Sequence, residues 1–363
     1  MNLLQRLFHR CGENLEYIEG LRFLETGTTS RAIKKIVSLK KKLKNKTMII
    51  ENNSLEVLRT CDYIKNDKLG AMVSNNLYLS IVATNSCQCN CPYCINSLTD
   101  RTLQLPFEKA KMNIKKSVDE FGIKEAVILG GEPTLYPHLF DLIKFLKNDC
   151  NLRKVGFTTN GIKLKDVAYL CNVVETGVDF INISYHNHDE FLLPNEMWDI
   201  YTRFCNIKKP HQKIRINTNV WRGNHDTIKS LLKFISQISI LCDEIRISNI
   251  IHKDNFSVNP NAVDDAEFMY MTDKEYEVLF NQLLDAYEPN YSIIHNPVAL
   301  GFVNYYLIPT KVPIILNWNI DSKVSEQVCE NNLGDNKIHT IKCLVTGDMS
   351  LSWNVNNIID MKK

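Results

Sequence analysis

Four cysteines crowd eight positions of the stretch NSCQCNCPYCINS, at Cys87, Cys89, Cys91 and Cys94, while the other eight of the chain's twelve are scattered. Thiolates packed this closely on one stretch suit soft metals. A structural zinc site usually takes its four ligands from two separated pairs such as C-x2-C, and no second C-x2-C occurs in this sequence. Iron-sulfur cubanes do take cysteines at two- to four-residue spacing. If Cys87, Cys91 and Cys94 are the ligands, the pattern is C-x3-C-x2-C, and three thiolates on four irons leave one iron open for chemistry. If Cys89 joins them, the cluster is closed and suited to electron transfer. Spacing alone leaves both open.

A loop of this kind acts only where the surrounding elements place it. From residue 76 the sequence alternates short apolar runs with helical patterns. LYLSIVA (Leu77–Ala83), EAVIL (Glu125–Leu129), KVGFTT (Lys154–Thr159), FINIS (Phe180–Ser184), KIRINTNV (Lys213–Val220) and EIRISNI (Glu244–Ile250) read as strands, with an amphipathic helical stretch after each of the first five. Six strand-and-helix units imply an α/β fold with a parallel sheet, because parallel strands need crossover connections and bury both faces. The cysteines lie on the loop after the first strand. GGEPT (Gly130–Thr134) follows the second strand, TTNG (Thr158–Gly161) ends the third, NISYH (Asn182–His186) the fourth and INTNVWRGNHD (Ile216–Asp226) the fifth. Ligands in such folds bind at the carboxyl ends of the strands, so these motifs converge on one site. Gly130 and Gly131 admit a close backbone approach and Pro133 fixes the turn. Asn160, Ser184 and Asn217 are small polar residues able to hydrogen-bond a ligand or to cap a turn.

Composition bounds the rest. The chain of 363 residues carries 43 basic and 41 acidic side chains, a net charge of +2, so no overall field points to nucleic acid. The first residues lack a signal-peptide core, no 18-residue apolar span follows, and twelve cysteines without a secretory signal read as reduced thiols or metal ligands. The expectation is a cytoplasmic protein with no membrane segment. Residues 1–75 read as a mainly helical extension, with seven lysines between Lys34 and Lys46 on a solvated face. Residues 76–250 read as the core. Residues 251–363 read as a C-terminal extension with a helix at Asp273–Ala286 and a strand pair around Gly347 and Asp348, expected to close over the mouth of the sheet. Trp353 and Cys343 read as core residues. His186 and His188 lie just past the fourth strand, where a loop histidine can face substrate.

C-x3-C-x2-C with Tyr93 before the last cysteine, on the loop after the first strand, followed in order by the four strand-end motifs, resembles the radical S-adenosylmethionine superfamily, in the branch that includes the molybdenum-cofactor cyclase. The resemblance covers about half the chain. It implies a partial parallel (β/α)6 barrel, a [4Fe-4S] cluster on Cys87, Cys91 and Cys94, and S-adenosylmethionine held by Tyr93, Gly130, Gly131, Glu132, Pro133, Thr159, Asn160, Ser184 and Asn217. It implies reductive cleavage of S-adenosylmethionine to methionine and a 5'-deoxyadenosyl radical that takes hydrogen from a substrate, with a one-electron donor such as flavodoxin or ferredoxin as partner. The sequence departs from the cyclase pattern after Cys242, where only Cys329 and Cys343 remain and a second cluster is not expected. The substrate reads first as a small metabolite, such as a nucleotide or sugar derivative. A ribosomally made peptide recognised by residues 1–75 is the alternative, and a closed-cluster electron carrier or zinc module without turnover follows if Cys89 completes the ligand set.

Overall fold

The computed structural model describes residues 49–51, 54–56, 63–66, 69, 71–91, 93–94, 99–186, 192–250, 269–287, 291–299, 302–309, 315–321, 337–351, 358–359 and 361. Strand β1 (Ile49–Glu51) pairs antiparallel with β2 (Ser54–Glu56), and β3 (Tyr63–Asn66) pairs antiparallel with the long β4 (Ala71–Thr84). Where helix was expected up to residue 75, the described residues other than Leu69, which lies in a turn, are strand. β-Branched residues such as the isoleucines at 49 and 50 favour strand. The lysine-rich helix expected from Lys34 to Lys46 lies outside the described residues.

The six core strands form where expected. After β4 come α1 (Phe107–Phe121), β5 (Glu125–Gly130), α2 (Leu139–Lys144), β6 (Lys154–Thr159), α3 (Val167–Glu175), β7 (Phe180–Ser184), α4 (Pro194–Ile207), β8 (Lys213–Val220), α5 (Ile228–Ile238) and β9 (Glu244–Asn249). Strands β4 to β9 pair parallel and in order. Alternate residues separate two faces. Val155, Phe157, Ile181, Ile183, Ile214, Ile216, Ile245 and Ile247 are fully buried against the helices. Helix α5 shows how sequence sets this layer. Leu231, Phe234, Ile235 and Ile238 fall on one face and are buried, and the Thr227 hydroxyl caps the first turn by accepting from the Ser230 amide at 3.3 Å.

The C-terminal third enlarges the sheet at both edges. Helix α6 (Asp273–Tyr287) is followed by β10 (Tyr291–Ala299), β11 (Phe302–Pro309) and β12 (Ile315–Asp321), and β12 runs parallel beside β9. Strand β13 (Lys337–Cys343) runs parallel beside β4 and turns into β14 (Met349–Ser350). The order β12-β9-β8-β7-β6-β5-β4-β13 makes a parallel run of eight strands among the described residues, two more than periodicity suggested. The strand pair around Gly347 is present, but β13 hydrogen-bonds along β4 as a further sheet strand. Its turn packs on α1, where Asn113 Nδ2 donates to the Gly347 carbonyl at 2.9 Å and Lys109 pairs with Asp348 at 2.7 Å. Cys343 is buried core, as expected. Trp353 and His188 lie outside the described residues.

Candidate functional site

The cysteine loop is pinched shut at its base. Asn85 N donates to the Leu103 carbonyl at 3.0 Å, Leu105 N donates to the Ala83 carbonyl at 2.9 Å, and the Thr84 hydroxyl, itself buried, accepts from Ser86 N at 3.0 Å. The loop thus leaves and re-enters at one point at the carboxyl end of β4. All four cysteines are half-exposed. Cys94 N donates to the Cys91 carbonyl at 3.1 Å, and Cys89 N points at the Cys87 sulfur at 3.4 Å. Burial pushes the Cys89 thiol up to about 12, with the neighbouring Cys87 next in effect.

The Gly-Gly-Glu-Pro turn lies directly beneath this base. Gly131 N donates to the Thr84 carbonyl at 2.6 Å and Glu132 N to the Ser86 carbonyl at 2.7 Å. A methyl group on Gly131 would stand 2.3 Å from the Ser86 carbonyl oxygen, and one on Gly130, whose φ is +142°, would stand 2.2 Å from that of Thr84. The two glycines are demanded first by the chain crossing over them. Glu132 is buried, and its carboxylate accepts from Thr134 N at 2.9 Å, Thr134 Oγ1 at 2.6 Å, Thr159 Oγ1 at 2.7 Å and Asn160 N at 2.7 Å. It clasps the second strand end to the third. Pro133 is buried at the head of the turn. Thr159 also caps its own turn, accepting from Gly161 N at 3.0 Å.

From there the loop reaches across the sheet. Asn160 Nδ2 donates to the Cys89 sulfur at 3.3 Å, and Asn160 Oδ1 accepts from Gln88 Nε2 at 3.4 Å. Further along, the Tyr93 ring packs 5.4 Å from His186 at the end of β7 and 5.0 Å from Trp221 just past β8. Trp221, Ile250 and Met269 form a small apolar cluster with Tyr93 against it. The cysteine loop thus touches the carboxyl ends of β6, β7 and β8. Ser184 and Asn217 are register partners on β7 and β8. Among the described residues the buried Asn217 Oδ1 has no hydrogen-bond partner, which leaves an acceptor for a ligand group. His186 is buried and neutral, pushed down to about 3 by burial and by His225, and its Nδ1 accepts from Asn219 N at 3.0 Å. That placement fixes the proton on Nε2 and does not suit an imidazolium acid.

Below the mouth, the face opposite the helices is polar, a feature missed from sequence. Thr158, Asn182, Arg215 and Glu244 link four strands: Asn182 Nδ2 donates to Thr158 Oγ1 at 3.3 Å, Arg215 Nη1 to Asn182 Oδ1 at 3.5 Å and Arg215 Nη2 to Glu244 Oε2 at 2.9 Å. The Phe180 ring forms the floor, between Lys154 at 5.5 Å and the Arg215 guanidinium at 5.1 Å, and lies so close over Gly156 that a methyl there would overlap it. The polar residues alternating through KIRINTNV were the available signal, since period two puts Arg215, Asn217 and Asn219 on one face.

Among the described residues no three His, Cys, Asp or Glu side chains are arranged around a single ion. A cubane asks for something else, since each thiolate binds a different iron. Cys87, Cys91 and Cys94 lie on a loop clamped at its base to the Gly130–Pro133 turn, and thiolates are the donors that an iron-sulfur cluster takes.

Residues 81–219 match a family model described as the Radical SAM superfamily. A protein of Sulfurisphaera tokodaii described as "Probable GTP 3',8-cyclase" is 31% identical over 126 residues, 35% of this chain and 38% of that protein. A Chlorobaculum tepidum protein described as "GTP 3',8-cyclase" is 28% identical over 180 residues, 46% of this chain and 51% of that one. The chain therefore spans from about a third to about half of the length of these relatives. The crystal structure of Streptococcus suis SuiB bound to precursor peptide SuiA matches with a TM-score of 0.55 at 16% identity, covering 93% of this chain and 76% of that one. That likeness is one of fold. No described helix is long and apolar enough to cross a membrane.

Proposed function

We propose that this chain, whose residues 81–219 match the Radical SAM superfamily, is an enzyme that cleaves S-adenosylmethionine reductively and takes hydrogen from a substrate entering at the carboxyl end of the sheet. A [4Fe-4S] cluster and S-adenosylmethionine are the cofactors of that family. The observation that supports this reading most directly is the clasp: one loop carrying Cys87, Cys91 and Cys94 is bound to the Gly130–Pro133 turn, contacts Asn160 through Cys89, and packs Tyr93 at the ends of β7 and β8.

In this reading the three thiolates hold the cluster. When bound, the cluster supplies the electron that splits S-adenosylmethionine into methionine and a 5'-deoxyadenosyl radical, received from a donor of flavodoxin or ferredoxin type. The protein's own tasks are geometric. The Gly130–Gly131 backbone would approach the ammonium, since the Glu132 and Pro133 carbonyls accept from Leu135 N and Tyr136 N, while Ser184 would offer a hydroxyl and Asn217 Oδ1 would accept from a ribose hydroxyl. Tyr93, His186 and Trp221 make an apolar wall that excludes water. Thr159 and Glu132 contribute by holding Asn160 and the turn, since their own polar atoms are engaged with the protein.

The polar face below, with Asn182, Arg215 and Glu244, favours a small polar substrate such as a nucleotide or sugar derivative. Modification of a ribosomally made peptide is the second reading, supported by a fold likeness to SuiB that extends beyond the matched domain to 93% of this chain. Equilibrium binding of nucleotides and of short peptides to the reconstituted protein separates the two. Anaerobic reconstitution tests the shared claim: about four irons per chain, with an absorption or EPR spectrum that changes when S-adenosylmethionine is added. Four irons indifferent to S-adenosylmethionine would mean a closed cluster and no such enzyme.

A further inference from the structure

The run Cys87-Gln88-Cys89-Asn90-Cys91 offers three thiols where a C-x3-C-x2-C site uses two, and the structure shows a specific hold on the extra one. We propose that Glu132 and Asn160 are positioning residues for the cysteine loop, in which Glu132 fixes the Asn160 turn and the Asn160 carboxamide keeps Cys89 out of the ligand set. This rests on the function proposed above and deepens it, because a fourth thiolate would close the iron that S-adenosylmethionine needs.

Four observations connect in series. Glu132, 1% exposed, engages the Asn160 amide through Oε2 at 2.7 Å and Thr134 and Thr159 through Oε1. Asn160, 7% exposed, is locked further by Ile162 N, which donates to its Oδ1 at 3.1 Å in an Asx turn. With the oxygen so placed, Nδ2 points at the Cys89 sulfur at 3.3 Å, and Gln88 Nε2 closes on Oδ1 at 3.4 Å. The carboxamide therefore grips both residues between Cys87 and Asn90. Cys89 in turn aims its amide at the Cys87 sulfur at 3.4 Å. A thiol tied to the end of β6 cannot swing towards Cys91 and Cys94 unless that contact breaks, and the contact cannot shift while Glu132 holds the turn beneath it.

Cobalt(II), added anaerobically in excess to the metal-free full-length chain, reports bound thiolates through its thiolate-to-metal absorption whether they meet on one ion or on several. The parent and Cys89→Ala should give equal absorption per chain. Asn160→Ser keeps a hydroxyl for the Ile162 amide but is too short to reach Cys89, and should raise the absorption by about one-third as a fourth thiolate joins. Adding Cys89→Ala to Asn160→Ser should return it to the parental value. Glu132→Gln should give the same gain, because an amide nitrogen cannot accept from Asn160 N. A merely structural role would lower metal uptake without adding a ligand. The proposal is overturned if Cys89→Ala alone weakens the absorption, or if Asn160→Ser binds cobalt with the parental absorption. Should Asn160→Ser fail to fold, Asn160→Asp retains the turn and loses only the donor; it should show the same one-third gain, and parental absorption there would equally overturn the proposal. The count does not involve S-adenosylmethionine, so a cluster indifferent to that molecule would sink the proposed function while leaving this result standing.

Discussion

At the scale of single residues, His186 gives a prediction that needs no cofactor. Its ring is buried, stacked edge-on against Tyr93, and neutral, with a folded value of about 3 against 6.5 for an ordinary histidine. The unfolded chain takes up a proton below about 6.5 that the folded chain refuses until about 3, so stability must fall as pH drops through that window, at up to about 1.4 kcal/mol per pH unit. Urea denaturation at pH 7 and pH 5.5 should show this loss, and His186→Gln should flatten it. An unchanged slope in that variant would put the pH sensitivity elsewhere. At this scale the sequence was readable in kind more than in role. Glycine, glutamate and asparagine at strand ends marked the place, but nothing in GGEPT says that the glutamate side chain turns inward to clasp Thr159 and Asn160. Those partners are 27 and 28 residues away, and only the folded sheet brings them together.

At the scale of elements, the cysteine loop and the Gly-Gly turn stand or fall together. Gly131→Ala would press a methyl group on the backbone carbonyls of Asn85 and Ser86, at 2.5 and 2.3 Å, and neither can rotate away as a side chain could. We expect a loss of about 1–3 kcal/mol of stability together with reduced iron incorporation, measured by thermal melting and iron analysis. Normal melting with normal iron would mean that the crossing is not tight. The strands were legible because each apolar run of five to eight residues is bounded by turn residues and followed by a helical period. The strand before Gly347 was legible too, but not that β12 and β13 continue the parallel run, since that pairing is decided by hydrogen bonds to β9 and β4 and leaves no mark on local periodicity. Nor does periodicity show that Asn113 and Lys109 of α1 fasten the turn at Gly347.

At the scale of the whole molecule, the parallel sheet is continued at both ends by strands from the last third of the chain, so the barrel does not depend on residues 76–250 alone. Ile341 is fully buried on β13 opposite Leu79, in the strand that leads to the cysteine loop. Ile341→Asp should cost about 3 kcal/mol or more, as an unpaired charge in an apolar layer does, and denaturation midpoints would show it. A variant as stable as the parent would make that edge dispensable. The central claim is that the clasped loop holds an open cluster beside an S-adenosylmethionine site. Its most direct test is 5'-deoxyadenosine formed by the reconstituted protein given dithionite and S-adenosylmethionine. The account predicts the product from the parent and from Cys89→Ala, and none from Cys87→Ala, Cys91→Ala or Cys94→Ala. A parent loaded with about four irons per chain that makes no 5'-deoxyadenosine, or a Cys87→Ala variant that makes it while Cys89→Ala does not, would contradict it.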